Sequence, residues 1–218
     1  MLDSPQTYRL SWSGYDLELG RRTCIMGVVN VTPDSFSDGG KFLAHDAAVA
    51  QGQKLAADGA DILDIGGEST RPFSDPVSAE EEIERVIPII EKLADELTIP
   101  ISIDTMKAEV ARRAIEAGAS MINDVSALRF DPAMGEVAGE FGTPVVLMHM
   151  LGSPKTMQES PAYDDLIADI TDFLKDAIER AQKQGISKSK LIVDPGIGFG
   201  KTVSHNLFLI RHLYAFAA

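Results

Sequence analysis

The sequence predicts an α/β fold of the (β/α)8 TIM-barrel type, incomplete at about six βα units and preceded by a β-hairpin. Three observations lead there. From Cys24 onward, short apolar runs alternate strictly with longer helical stretches, the pattern of parallel strands covered by helices. The apolar runs are nearly unbroken, as strands buried on both faces are. Each run also ends in a polar residue at the entry to a loop. A doubly wound open sheet likewise gathers ligands at the carboxyl ends of its strands, but its polar residues concentrate near one switch point. Polar residues after every strand therefore favour the barrel. Eight units close a barrel, and only six are readable here.

Tyr8 to Leu19 alternates around Ser13 and Gly14, which predicts a small hairpin. The first barrel strand is RTCIMGVVN, closing on Asn30, and the loop VTPDSFSDGGKF leads to a helix over Ala44 to Ala57. DILDIGG is the second strand, with ESTRPFSDPVS behind it. Ser78, followed by Glu81 and Glu82, marks a helix start that runs towards Leu97. Ile99 to Asp104 is the third strand, and Lys107 to Ala117 the helix that Gly118 ends. Met121 to Asp124 and Val145 to His149 are the fourth and fifth strands, each with its helix, over Ala133 to Phe141 and Asp164 to Gln184. Leu191 to Asp194 is the sixth, and a last helix is expected from His205 to the end.

At 218 residues the chain suits a single domain spanning residues 1–218. Its net charge of −13 argues against general affinity for nucleic acid or an anionic membrane. An anionic ligand would need local cations, helix N-termini or a metal. One cysteine, Cys24, excludes an internal disulfide and fits a reducing compartment. MLDSPQTYRL has no signal-peptide pattern, and no apolar run reaches membrane-span length. A cytoplasmic location is expected.

The densest chemistry lies in LIVDPGIGFGKT, where a strand ends in Asp194 and a glycine-rich turn leads to Lys201 and Thr202. It is not a Walker loop, because Pro195 stands where the first glycine belongs. Nor is it a dinucleotide fingerprint, since Gly196, Gly198 and Gly200 leave the last gap one residue short. The strand ends together offer Asn30, Thr70 with Arg71, Asp104, Asn123 with Asp124, His149, and Asp194 with Lys201. Each alone reads as a turn or cap residue. As a set, Asp104, Asn123 and Asp194 offer convergent acceptors to a flat heterocycle with a guanidine-like edge. His149 reads as a structural hydrogen-bonder before a general base. No nucleophile–base pair and no zinc-like Cys/His spacing is present. Asn30, Asp34 and Asp38 supply oxygens suited to a loosely held Mg2+ shared with substrate phosphates.

MGVVNVTPDSFSDGG, DIGGESTRP, SIDT, INDVSA, MHMLGSPKTMQ and DPGIGFGK, in this order, closely resemble the dihydropteroate synthase family of the folate pathway. The likeness runs from about Cys24 to Lys201. It implies a barrel, usually homodimeric, joining 6-hydroxymethyl-7,8-dihydropterin pyrophosphate to 4-aminobenzoate with loss of pyrophosphate. By the resemblance, Asp104, Asn123 and Asp194 hold the pterin edge and Met148 walls its pocket. Asn30 goes with Mg2+ and the diphosphate. Thr70, Arg71 and Pro72 form a loop that closes with the one around Phe36 over the aminobenzoate. Phe199 lines that second site, and Lys201 is a further substrate-binding position. The catalytic roles fall to Asp104 and Arg71. Methyltetrahydrofolate-dependent methyltransferases share the pterin pocket but have no need of the NVTPDSFSDGG and STRP loops.

Two departures from the family pattern stand out. Its last two strands bring cations in Ser-Arg-Lys and Arg-x-His segments, which this sequence lacks, so weak or absent turnover is expected of this length alone. The alternative is a pterin-binding fragment without catalysis. The second departure is Phe73, bulkier than the family's usual residue after Thr-Arg-Pro. Phe73→Gly in a complete enzyme should change inhibition by sulfonamides, analogues of aminobenzoate. An unchanged inhibition constant would discard that role.

Overall fold

The computed structural model describes residues 7–31, 41–70 and 75–217. Strands β1 (Tyr8–Trp12) and β2 (Tyr15–Leu19) pair antiparallel around Ser13 and Gly14, both at positive φ, as a tight hairpin requires. Six parallel strands follow in sequence order: β3 (Met26–Asn30), β4 (Ile62–Gly66), β5 (Ile101–Asp104), β6 (Met121–Asp124), β7 (Val145–Met148) and β8 (Leu191–Asp194). Among the described residues β3 and β8 do not pair, so the cylinder is open between them.

Each crossover carries a helix, and in two of them a side-chain cap fixes the start. In α2 (Ala79–Glu96), Ser78 Oγ accepts from the Glu81 N–H at 3.1 Å, and Glu80, Glu81 and Glu82 fill the positive first turn. Its buried stripe, Val86, Ile89, Ile90 and Leu93, follows helical spacing. Asp165 caps α5 (Leu166–Lys183) by accepting from two backbone N–H groups. Helices α1 (Lys41–Ala57), α3 (Ala108–Glu116) and α4 (Met134–Phe141) complete the outer layer with α6 (Val203–Arg211).

The last element departs from expectation. Thr202 and His205 form a capping box, so α6 begins at Val203, ahead of His205. It stops at Arg211 and yields to a 3-10 turn over Leu213–Phe216. The first crossover helix also begins earlier than expected, at Lys41.

Alternation along the strands sorts their side chains into two sets. Leu63, Ile65, Ile103, Ile122 and Leu147 face outward and join the main core beneath the helices. Their neighbours face the interior. At the amino ends of the strands, Met26, Ile62, Met121, Val146 and Ile192 pack against Leu10 and Trp12 of the hairpin. The hairpin thus plugs the lower mouth, leaving the carboxyl-end mouth for ligands.

Trp12 is 5% exposed, and its indole N–H has no partner. Trp12→Ala should lower unfolding stability by about 3 kcal/mol in urea titrations. Trp12→Phe should cost less, because it also removes the unpaired N–H. Equal losses would mean the ring's volume is not what matters.

Candidate active site

The same alternation brings inward-facing residues to the upper mouth. Cross-strand register places Asn30 beside Gly66, Gly66 beside Asp104 and Asp104 beside Asn123, a continuous row over four strands. Met148 lies beside Asp194 on β7 and β8. Gly66 contributes no side chain to the row, and a Cβ there would sit in ordinary contact, 3.5 Å from both Asn30 Oδ1 and Asp104 Oδ2.

Asp104 is the electrostatic centre. Burial, followed by the charges of Asp64, Glu82, Asp124 and Glu68, pushes its carboxyl well above the usual carboxylate range. Asp64, two residues before Gly66 and so on the same inward face, is 3% exposed. Its Oδ2 accepts from Asn123 Nδ2 at 2.9 Å, and its Oδ1 has no hydrogen-bond partner. Burial pushes Asp64 up too, and the Asn123 amide pulls it back. Ser102 on the next strand eases it further without a full bond. Asp194 Oδ1 accepts the Gly196 N–H at 2.7 Å. That turn needs glycine, because at φ 69° a Cβ on Gly196 would stand 2.0 Å from the His149 carbonyl. Level with the acceptors and in the loops beyond them, Met148, Val125, Met150 and Met157 form an apolar cluster joined by Met106 and half-buried Phe199.

Other strand-end groups serve the protein itself. Asp124 accepts from the backbone N–H groups of Ser126 and Leu128, both at 2.8 Å, and braces a loop in which Ala127 and Leu128 have positive φ. Lys201, expected at a substrate, is 3% exposed. Its Nζ donates to the Phe199 carbonyl and lies 2.9 Å from His149 Nδ1. The amine is turned into the wall and steadies the loop that carries Phe199. Burial, opposed by Asp194, lowers it to about 8. His149 stands edge-on to Phe173, and burial, Lys201 and Arg129 lower it to about 3, so it is a neutral acceptor. The structural reading of His149 therefore holds over the general base. Thr70 is half-buried at the end of the described loop. Arg71, Pro72 and Phe73 lie outside the described residues, as do Asp34, Phe36 and Asp38.

Two features escaped the sequence reading. Asp64 sits within the apolar run ILDIG, and a lone acid there was the available signal, since buried carboxylates are rare unless partnered. The other is Lys107, whose Nζ bridges Glu68 and fully buried Glu82, the latter at 2.6 Å. Arg85 adds a bond to the Gly67 carbonyl at 2.7 Å. These ties pin the root of the β4 loop to α2 and α3. Among the described residues no group of three His, Cys, Asp or Glu side chains could hold a metal.

An open parallel cylinder thus carries acceptors and an apolar cluster together at its carboxyl-end mouth. The chain belongs to the pterin binding enzyme family, which it matches over residues 26–218. It is 49% identical over 194 residues to the dihydropteroate synthase of Synechocystis sp., covering 89% of this chain and 67% of that protein. With the Escherichia coli enzyme of the same name it shares 49% over 192 residues, 88% of this chain and 68% of that one. Solved structures agree. Xanthomonas albilineans dihydropteroate synthase with 4-aminobenzoic acid superposes with a TM-score of 0.88 at 49% identity, covering 97% of this chain and 74% of that one. The same species' enzyme in complex with 7,8-dihydropteroate gives 0.84 at 47%, covering 96% and 73%.

His149 generates a pH test. Its folded value near 3 lies below the ordinary 6.5, so the unfolded chain takes up a proton there that the folded chain refuses. Stability is then lost as pH falls through 6.5, by about 1 kcal/mol between pH 7 and 5.5. Urea unfolding of wild type against His149→Gln should show that extra loss in the wild type. Parallel pH profiles would refute it.

Proposed function

We propose that this chain carries dihydropteroate synthase chemistry, condensing 6-hydroxymethyl-7,8-dihydropterin pyrophosphate with 4-aminobenzoate to give 7,8-dihydropteroate and pyrophosphate. The row Asn30–Gly66–Asp104–Asn123 is the observation that carries this reading. A ring edge bearing N–H donors finds acceptors in Asp104, Asn123 and Asp194, and an apolar face in Met148 and Phe199. Charge-assisted bonds to such an edge favour ionised Asp104, offsetting the burial that opposes it.

During reaction the carbon–oxygen bond to the diphosphate breaks with its electron pair leaving on the phosphate oxygen. Positive charge then develops at the pterin methylene, and the carboxylates around Asp104 stabilise it. The aniline nitrogen of aminobenzoate forms the new bond and loses a proton. No strong base is required, which suits a site whose histidine is a buried neutral acceptor. Thr70, Arg71 and Pro72 are proposed to contact the second substrate and the leaving diphosphate. Asn30, exposed at its strand end, offers one oxygen to Mg2+. Bound there, the ion would supply positive charge beside the leaving diphosphate. The same reading carries a homodimeric assembly and a cytoplasmic location. No helix of the described residues is long and apolar enough to cross a membrane.

One observation favours a second reading, pterin binding without turnover. Three cations at the carboxyl ends of the strands are engaged within the protein: Lys107 by two glutamates, Lys201 by the wall, Arg129 by the carbonyls of Ser126 and Met150. Calorimetry with the pterin pyrophosphate, beside a pyrophosphate-release assay containing 4-aminobenzoate, separates the two. Binding with release supports the enzyme, and binding alone supports the module. In either case Asp104→Asn should weaken pterin binding by about tenfold or more. Wild-type affinity should also fall on acidification, from above the ordinary carboxylate range, because protonated Asp104 loses an acceptor. No binding, or an indifferent Asp104→Asn, would overturn the proposal.

A further inference from the structure

We infer that Asp64 is a positioning residue that fixes which edge of Asn123 faces the ligand, and thereby the site's preference for donor-bearing rings. The inference rests on the pterin-binding reading above, but its geometry is independent of it. Asn123 is half-buried at the end of β6, and its side chain carries an oxygen on one side and an NH2 group on the other. Nothing in its own strand selects between the two orientations.

Asp64 selects. It lies on the same inward face one layer deeper, is 3% exposed, and receives Asn123 Nδ2 on its Oδ2 at 2.9 Å. Turned over, Asn123 would set its carbonyl oxygen against a carboxylate in a water-poor interior, an arrangement that burial makes costly. One N–H of Asn123 is therefore committed downward, and Oδ1 with the remaining N–H is left for the mouth. Beside it stands Asp104, another acceptor, in direct register.

This accounts for a charge in a place where packing alone argues for an apolar residue. Asp64 Oδ1 has no full hydrogen-bond partner, only the weaker influence of Ser102 across the strand pair, so the Asn123 amide is its one complete side-chain bond. Ile62, at the equivalent inward position one layer below, packs against the hairpin, showing what the same strand face accepts where no ligand is served.

The test exchanges the two groups. Asp64→Leu removes the acceptor, and Asn123→Asp sets two carboxylates face to face. The double variant Asp64→Asn with Asn123→Asp restores a donor–acceptor pair with its direction reversed while still showing an oxygen to the mouth. Each single variant should bind 6-hydroxymethyl-7,8-dihydropterin pyrophosphate at least about tenfold more weakly, and the double should recover most of that loss. A double variant no better than Asn123→Asp would overturn the inference. A second measurement needs no ligand. The Asn123 side-chain amide signals, assigned by their disappearance in Asn123→Ser, should move towards those of a solvated amide in Asp64→Leu. Unmoved signals would overturn the inference. If the wild-type chain does not bind the pterin at all, the proposed function fails, and the amide signals still decide the role of Asp64.

Discussion

A carboxylate withdrawn from water must find a donor, a counter-charge or a proton, and that constraint organises the upper half of this barrel. Asp64 and Asp104 stand on neighbouring strands inside the cylinder, with Asp124, Glu68 and Glu82 close enough to add their repulsion. Against them the described interior offers the Asn123 amide to Asp64, while Lys107 faces away to its two glutamates. The free site is thus short of donors. Under the proposed function a ligand with a row of N–H groups would complete it, while Asn123 keeps one N–H for an acceptor on the ring.

How far the sequence could be read follows from the range of the interactions involved. Parallel strands buried on both faces read as apolar runs, so all six were legible, as were the hairpin turn and the Ser78 cap. The mouth residues Asn30, Asp104, Asn123 and Asp194 were legible for the same reason, because a strand end puts a side chain at the mouth by period alone. Residues whose meaning depends on distant partners were not. Lys201 reads in the sequence as a substrate-binding position, and nothing local signals that its amine lies against His149, 52 residues away. Asp124 and Asn123 are adjacent in sequence, yet alternation sends one to the loop backbone and the other into the barrel interior against Asp64. Asp64 was hidden by its apolar neighbours, since no local pattern says that a strand's inner face turns polar partway up.

Stability and recognition are divided along the strand axis. The lower layer, Met26, Ile62, Met121, Val146 and Ile192 against Leu10 and Trp12, is apolar and closed by the hairpin. The outer layer packs the helices onto Leu63, Ile65, Ile103 and Leu147. These two regions bury the apolar area that holds the fold together. The upper interior contributes less of that kind, since its inward positions include Asp64, Asp104 and Asn123. This division follows the general arrangement of parallel barrels, in which the carboxyl-end loops vary while the far end preserves the fold.

The division explains why the acids can be placed where they are. An interior lined with carboxylates destabilises the chain that contains it, and domains have only a modest surplus of stability. Such a lining is tolerable if the strands beneath it are held independently, and here they are, from below by the hairpin and from outside by the helices. Strands fixed in that way cannot shift to relieve Asp64 or Asp104, so the unfavourable electrostatics persist until a donor-bearing ligand arrives. Rigidity below is what allows the mouth to remain unsatisfied, and an unsatisfied mouth with fixed geometry is a preorganised one.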